Sequence, residues 1–211
     1  MAARALPHLH LATAGLFAGA FAVVLAIVLP VDHAVGLDHA VATWMAAHRT
    51  ETLTSVLTAI STAGSVVGIV PASLVIAVVL YRRRGWRPVR WLALATLGAT
   101  AVYLAINLPL GRARPPMGLR VYPDGEASFP SGHSTQAVAF WVAAATLLAA
   151  EATLRVRRLA YAGAALAIAL TGLSRIYLCE HWTTDVLGGF ALGAAWIAIV
   201  LAWRKWLGES V

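Results

Sequence analysis

Three short polar blocks interrupt an otherwise strongly apolar chain, and their residue types suit phosphate chemistry. The blocks are residues 111–115, 130–133 and 174–185, and each lies where an apolar run begins or ends. Together they contain arginines, histidines, a serine, glycine-flanked backbone and a carboxylate. Arginine forks and backbone amides bind phosphate oxygens, while histidine transfers protons or attacks phosphorus. These residues therefore predict binding of a phosphate group and cleavage of its ester bond.

The elements that must position these blocks are membrane-spanning helices. Hydrophobic residues make up 60% of the 211 residues and charged residues 12%, and the mean hydropathy is +0.77. A helix needs about 20 mostly apolar residues to cross a bilayer. We therefore expect an all-α bundle of six membrane-spanning helices that forms a single domain over residues 1–211. The six predicted spans are residues 11–31, 66–81, 91–110, 134–150, 159–177 and 186–203.

The positive charge of the chain follows membrane topology and does not indicate nucleic-acid binding. The formal net charge is +7, and most basic residues lie before span one, in the loops after spans two and four, and after span six. They are Arg4, Arg82, Arg83, Arg84, Arg87, Arg90, Arg155, Arg157, Arg158, Arg204 and Lys205. Basic residues in short loops mark the cytoplasmic side. Both termini are therefore expected in the cytoplasm and all three polar blocks on the extracytoplasmic face. The excess of Ala and of Arg over Lys indicates a GC-rich bacterial genome, and hence a bacterial inner or plasma membrane.

Two further patterns concern the membrane interface and the packing of the helices. Residues 36–61 mix apolar and polar positions, which predicts a helix lying along the outer membrane interface. Gly15 and Gly19, and also Gly189 and Gly193, are four residues apart and allow helices to approach closely. We expect both pairs to serve packing inside the bundle and not dimerisation. The sequence leaves the oligomeric state open.

The arginines and the start of span four are predicted to bind phosphate. Arg114 and Arg175 offer bidentate donors to the equatorial oxygens of a phosphoryl group. Ser131 adds a hydroxyl, and Gly132 allows its backbone N–H to approach the ligand closely. A helix that begins near His133 adds positive potential at its N-terminus.

The two histidines are predicted to divide the chemistry. His181 and Asp185 are four residues apart, so they share a face if that stretch is helical. An aspartate that accepts from one ring nitrogen leaves the other nitrogen free as a nucleophile. His133 can then protonate the leaving oxygen. The expected route is attack by His181, a phosphohistidine intermediate, and hydrolysis by water.

The same residues resemble the three-part signature of the type 2 phosphatidic acid phosphatase superfamily. The matching parts are Arg114-Pro115, residues 130–133, and Ser174-Arg175-x5-His181-x3-Asp185. The resemblance implies metal-independent, cofactor-free hydrolysis of a lipid phosphomonoester or diphosphate within the membrane. It also implies one role for each matched residue: His181 as nucleophile, Asp185 as its partner, His133 as acid, and Arg114, Ser131, Gly132 and Arg175 as phosphate ligands.

One position departs from this signature. The family carries a lysine seven residues before the arginine that precedes proline, and here that position is Asn107. An amide donates a hydrogen bond but brings no charge, so one cationic contact to the phosphate is missing. We hypothesise that Arg112, from the same loop, replaces it, and we therefore count both Asn107 and Arg112 among the phosphate-binding residues.

Several functions stay open at this stage. The substrate candidates are phosphatidic acid, phosphatidylglycerol phosphate and polyprenyl diphosphate. A phosphotransferase that uses the same phosphohistidine is the nearest alternative, and a lipid-phosphate-binding protein weakened by Asn107 is another. His133, His181, Asp185 and Glu180 could instead hold zinc, although no H-E-x-x-H pattern occurs. Related sites also occur in vanadate-dependent haloperoxidases, but those resemble soluble proteins.

Overall fold

The described part of the chain is almost entirely helical, and its longest connection, between α5 and α6, carries part of the polar blocks. The computed structural model describes residues 7–29, 35–122, 125 and 127–207; Arg4, used above for orientation, lies outside them. The helices of this part are α1 (Pro7–Val28), α2 (Gly36–Ala47), α3 (Glu51–Ala63), α4 (Val66–Arg84), α5 (Trp86–Leu110), α6 (Gly132–Leu148), α7 (Leu154–Tyr177) and α8 (Thr183–Trp206). The described residues contain no strand, only one isolated bridge between Ala113 and Ala127. The expectation of an all-α protein is confirmed.

Helices α1, α4, α5, α7 and α8 are long and apolar enough to cross a membrane, and the protein is a membrane protein. Helix α6, where the fourth span was predicted, has 17 residues, or about 26 Å at 1.5 Å per residue. This length is at the lower limit for a span, so six spans remain a prediction.

The core lies around α8, which packs against α1, α5 and α6. In α8, 61% of the span residues are buried, against 11% in α1 and in α4. Leu16, Leu74 and Leu97 are each more than 60% exposed on the outer surface. Such exposure of large apolar side chains is unfavourable in water and favourable in lipid. Helix α8 therefore lies inside the bundle, and the exposed faces of α1, α4 and α5 are suited to contact with the bilayer.

Close packing of α6 against α8 depends on glycine. A β-carbon at Gly189 would lie 2.6 Å from the Ser131 carbonyl oxygen, and one at Gly193 would lie 2.6 Å from that of Thr135. The expectation of internal packing is thus confirmed for this pair. A β-carbon at Gly15 or Gly19 would meet no atom within 4 Å, so the expectation was wrong for the α1 pair.

The segment predicted as one interfacial helix forms two helices, α2 and α3. Thr50 separates them and caps α3, because its side chain accepts from the Leu53 amide at 3.3 Å. The junction is fastened to the end of α7, since Arg49 donates twice to the Tyr177 carbonyl, at 3.2 and 3.1 Å. The position of this segment at the membrane interface stays a prediction.

Candidate active site

The three polar blocks meet at one end of the bundle. The Ser131 amide donates to the carbonyl of Asp185 at 3.0 Å, and Arg114 donates to the carbonyl of Glu180 at 2.7 Å. At the opposite end, Arg84 donates to the Leu147 carbonyl at 2.8 Å, which joins the ends of α4 and α6. The site and the arginine-rich loops therefore lie at opposite ends of the helices.

His181 lies in the tight turn between α7 and α8. The amides of Glu180 and His181 both donate to the carbonyl of Arg175, at 3.0 and 3.3 Å. Cys179 closes the turn with a φ of 53°. The turn is thus fixed by its own backbone, and it holds the His181 side chain in place with 3% of the residue exposed.

One hydrogen bond fixes the tautomer of His181. Its Nδ1 lies 2.8 Å from the Ser128 carbonyl oxygen. A carbonyl only accepts, so Nδ1 must carry the hydrogen and Nε2 keeps its lone pair. Burial lowers the pKa of His181 to about 4, because the charged imidazolium is poorly solvated there. At neutral pH the ring is therefore neutral, with Nε2 available as a nucleophile.

Asp185 acts on His181 less directly than the sequence suggested. Its Oδ2 is 3.6 Å from Nδ1, which is too long for a hydrogen bond. Oδ2 instead accepts from the Ser128 hydroxyl and from the Trp182 amide at 2.8 Å. Asp185 therefore also caps the start of α8. In this structure the Ser128 carbonyl holds the Nδ1 hydrogen and Asp185 supplies a nearby negative charge; the pairing of Asp185 with His181 stays a prediction.

Arg112 is placed on the Asp185 side of the site and not among the phosphate ligands. Its Nη1 donates to Asp185 Oδ1 at 2.5 Å and to Thr184 Oγ1 at 2.8 Å. Its Nη2 donates to Asp38 at 3.0 Å. With both terminal nitrogens bonded within this network and only 8% of the residue exposed, Arg112 does not replace the missing lysine.

Asn107 is also engaged elsewhere. Its Nδ2 donates to the Phe129 carbonyl at 3.1 Å and, more weakly, to that of Pro130 at 3.4 Å. The residue is 8% exposed. Asn107 therefore fastens the loop that precedes α6, which is a different role from the predicted phosphate contact.

The other side of the site is an arginine cluster around one buried carboxylate. Glu180 Oε2 lies 4.0 Å from Arg114, 3.7 Å from Arg120 and 3.9 Å from Arg175. Within the described part of the chain, three guanidinium groups thus converge on this one carboxylate. Burial lowers the pKa of Arg114, yet a guanidinium stays protonated at any ordinary pH. Within the described residues, the Nε atoms of Arg114 and Arg175 have no hydrogen-bond partner. The cluster is suited to an anionic ligand.

Helix α6 begins at the site, as the sequence predicted. Ser131 is its N-cap, and the Ser131 side chain accepts from the Ser134 amide at 3.4 Å. Gly132 is the first helical residue, and a β-carbon there would lie 2.9 Å from the Tyr103 ring. His133 is the second residue of α6. The start of α6 borders the space of the site, because the Ser131 amide donates to the Asp185 carbonyl at 3.0 Å.

A largely apolar cavity of about 430 Å³ adjoins this space between α4, α5 and α6. Gly132 and His133 line its upper end, and Leu92 and Val89 line its lower part. Val89 and Tyr103, which also lines the cavity, are 14 positions apart on α5, or about 21 Å along the helix. The cavity is therefore long, and it begins at the catalytic candidates.

Several residues that the structure brings into the site had no role in the sequence analysis. Ser128, Asp38 and Arg120 were assigned none, and Glu180 was weighed only as a possible zinc ligand. Ser128 shows no helical spacing to His181, and Asp38 precedes Asp185 by 147 positions. Ser128 lies in the loop before predicted span four and Asp38 in the predicted interfacial segment 36–61, and neither position selects the residue as part of the site.

A comparison with known families now identifies the fold. A model of the PAP2 superfamily matches residues 88–209, which is more than half of the chain. The chain belongs to the PAP2 superfamily. The resemblance drawn from the three polar blocks is thereby confirmed.

Two curated relatives match this PAP2 chain over part of their length. Phosphatidylglycerophosphatase B of Bacillus subtilis (strain 168) is 38% identical over 84 residues, which cover 39% of this chain and 41% of that protein. An uncharacterised 22.5 kDa protein from the cps region of Klebsiella pneumoniae is 30% identical over 138 residues, which cover 65% and 64% respectively. The chain thus matches less than two thirds of each relative.

Two solved structures share the fold, and one of them is described as PAP2-type. The transmembrane phosphatidylglycerolphosphate phosphatase of Bacillus subtilis superposes with a TM-score of 0.84 at 24% identity, covering 92% of this chain and 97% of that one. LpxE of Aquifex aeolicus gives a TM-score of 0.62 at 24% identity, covering 79% and 96%. The helical architecture of the PAP2 fold is therefore present over nearly the whole chain.

Proposed function

We propose that this PAP2 protein hydrolyses the terminal phosphate of a membrane lipid through a phosphohistidine on His181. The observation that carries the proposal is the bond from His181 Nδ1 to the Ser128 carbonyl. It leaves Nε2 unprotonated and available for attack. Membership of a family with phosphatase members, together with the apolar cavity beside His133, points to a lipid substrate.

The first step transfers the phosphoryl group to His181. The arginine cluster, Ser131 and the start of α6 hold the phosphate oxygens, where charge develops in the transition state. The Nε2 lone pair forms a bond to phosphorus while the bond from phosphorus to the lipid oxygen breaks. His133 is the candidate general acid: in its protonated form it would give its proton to the departing oxygen.

The second step returns the enzyme to its starting state. Water attacks the phosphohistidine and His133 accepts a proton from it. The Nε2–phosphorus bond breaks, inorganic phosphate leaves, and the Nε2 lone pair is restored. An alcohol in place of water would give phosphotransfer, so the acceptor decides between the two reactions.

The charges of the two sides suit these steps. Arg114 and Arg175 place two guanidinium groups beside the start of α6, and these groups oppose the negative charge of a bound phosphate. A phosphohistidine that keeps its Nδ1 hydrogen is a cation, and Asp185 lies 3.6 Å from that nitrogen. The arginine cluster therefore faces the negatively charged phosphate, and Asp185 faces the positively charged phosphohistidine. The proposed route requires neither a metal nor another cofactor.

We further propose that the site faces the extracytoplasmic side and that both termini are cytoplasmic. The support is the arginine-rich end of the bundle, which lies opposite the site and fits the cytoplasmic side. The cavity between α4, α5 and α6 would hold the apolar part of the lipid. Phosphatidylglycerol phosphate is the leading substrate candidate, because the curated Bacillus subtilis relative and the Bacillus subtilis structure are both named for it.

Phosphate release from defined lipids tests the function. Purified protein in detergent would be given phosphatidic acid, phosphatidylglycerol phosphate or undecaprenyl diphosphate, with EDTA present. His181→Ala would run alongside, with His48→Ala as the matched control because His48 is exposed and outside the site. We expect release that resists EDTA, disappears in His181→Ala and persists in His48→Ala. Loss of activity with EDTA, or activity in His181→Ala, would contradict the mechanism.

A further inference from the structure

A second buried carboxylate, Asp38, reaches the active site from outside the matched family region. Asp38 belongs to α2, whereas the family model begins at residue 88. Only 1% of the residue is exposed. Its Oδ1 accepts from the Thr184 amide at 2.9 Å, and its Oδ2 accepts from the Thr184 hydroxyl at 2.6 Å. The first turn of α8 is therefore held directly by α2.

Arg112 connects this carboxylate to Asp185. The guanidinium donates to Asp38 through Nη2 at 3.0 Å and to Asp185 through Nη1 at 2.5 Å. The Thr184 hydroxyl closes the network, since it accepts from Arg112 at 2.8 Å and donates to Asp38. Displacing Asp38 would therefore move the groups that hold Asp185.

The network carries one net negative charge in a buried place. Two carboxylates, Asp38 and Asp185, share the single guanidinium of Arg112, and all three residues are at most 8% exposed. A buried charge that is not fully balanced is costly unless something compensates it. The start of α8 offers partial compensation through its helix dipole. The remaining charge faces His181, whose Nδ1 is 3.6 Å from Asp185.

We propose that Asp38 is a positioning residue: through Arg112 and Thr184 it orients Asp185, and it supplies the excess negative charge that stabilises the cationic phosphohistidine. The inference rests on the proposed function. Without Asp38, Arg112 would pair with Asp185 alone and the network would become neutral. The transition state would then lose stabilisation, while binding of the phosphate by the arginine cluster would persist.

The test compares a transition-state analogue with a ground-state ligand. Vanadate adopts the five-coordinate geometry of the transferring phosphorus and bonds to the nucleophile, whereas inorganic phosphate occupies the same site without that bond. We expect Asp38→Asn to lower kcat on the order of 10- to 100-fold, the effect of losing one hydrogen-bonded buried charge. The inhibition constant of vanadate should rise by a similar factor, and that of phosphate should change by less than about threefold. Glu51→Gln is the matched control, because it removes one exposed acid from the neighbouring helix α3.

A double variant separates charge from structure. Asp38→Asn with Arg112→Gln restores one net negative charge on Asp185, so we expect it to recover part of the kcat that Asp38→Asn loses. A purely structural role would make the two losses add. If Asp38→Asn does not fold, the double variant decides by itself: inhibition constants of vanadate and of phosphate that are each within about threefold of wild type support the proposal, and a larger rise of either one overturns it.

The outcomes distinguish this inference from the proposed function. A wild type that releases no phosphate from any lipid would contradict the proposed function. An active wild type with unchanged kcat and vanadate inhibition in Asp38→Asn would overturn only the role of Asp38. Equal weakening of vanadate and phosphate binding, in the single or the double variant, would also overturn it.

Discussion

Replacing Asp185 by asparagine tests how the nucleophile is prepared. In a Ser-His-Asp triad the same change costs about 10⁴ in kcat because the imidazole adopts the wrong tautomer. Here the Ser128 carbonyl accepts from Nδ1 at 2.8 Å, so the tautomer does not depend on Asp185. We therefore expect Asp185→Asn to keep the tautomer and to lose only the charge.

The distance between the two side chains gives the size of this loss. A full charge pair at the observed 3.6 Å interacts by about 5 kcal/mol at an effective dielectric constant of about 20. The imidazole carries only part of a positive charge in the transition state. We expect a loss of about 3 to 4 kcal/mol, or about 10²- to 10³-fold in kcat.

Two measurements check this prediction together. Nitrogen NMR of ¹⁵N-histidine-labelled protein in micelles reports which ring nitrogen of His181 carries the hydrogen, and steady-state kinetics report kcat. Ser128→Ala is the control, because it removes the hydroxyl that bonds Asp185 but keeps the carbonyl; we expect an unchanged tautomer and a loss of about 10-fold. A shift of the hydrogen to Nε2 in Asp185→Asn would refute the role given to the Ser128 carbonyl, and an unchanged kcat would refute the role of the charge.

Three other predictions concern packing, the loop before α6 and pH. Gly189→Ala should lower the free energy of unfolding by about 1 to 3 kcal/mol, because the new β-carbon would collide with the backbone of α6. Gly163→Ala is the control: a β-carbon there meets no described atom within 4 Å, so the melting temperature should stay nearly unchanged. Asn107→Ala should cost about 1 to 3 kcal/mol because the buried Phe129 carbonyl loses its donor, and a melting temperature equal to that of wild type would contradict this role. Folded His181, with a pKa of about 4, binds fewer protons than the unfolded residue with its pKa of about 6.5. Stability should therefore fall as the pH decreases from 6.5 to 4, and thermal melts should show a smaller fall in His181→Gln.

The convergence of the three polar blocks could be predicted from the sequence because it depends on topology. Once the apolar runs are taken as spans, the loops after spans three and five and the start of span four must lie on one side. The start of α6 near His133 follows from the local rules of helix capping, and internal packing was correctly predicted for Gly189 and Gly193 but not for Gly15 and Gly19. These features needed no knowledge of which side chains meet across the bundle.

The partners inside the site could not be predicted, because they join residues that are distant in sequence. Arg112 can bridge Asp38 and Asp185 only because α2 packs on α8, and nothing local in the sequence indicates this packing. The sequence placed Arg112 with the phosphate ligands because it stands two residues before Arg114. In the loop, however, the two guanidinium groups point to different carboxylates, Asp185 and Glu180. The spacing of residues four apart likewise suggested a direct bond from His181 to Asp185, but the ring turns to the Ser128 carbonyl.

Trapping the phosphoenzyme is the most direct test of the central claim. Protein mixed with a ³²P-labelled lipid phosphate would be quenched within milliseconds under alkaline conditions, which preserve phosphohistidine, and the labelled peptide would be sequenced. We predict label on His181 of the wild type and none in His181→Ala. Steady turnover without label on His181, or label on another residue, would contradict a phosphohistidine mechanism at this site.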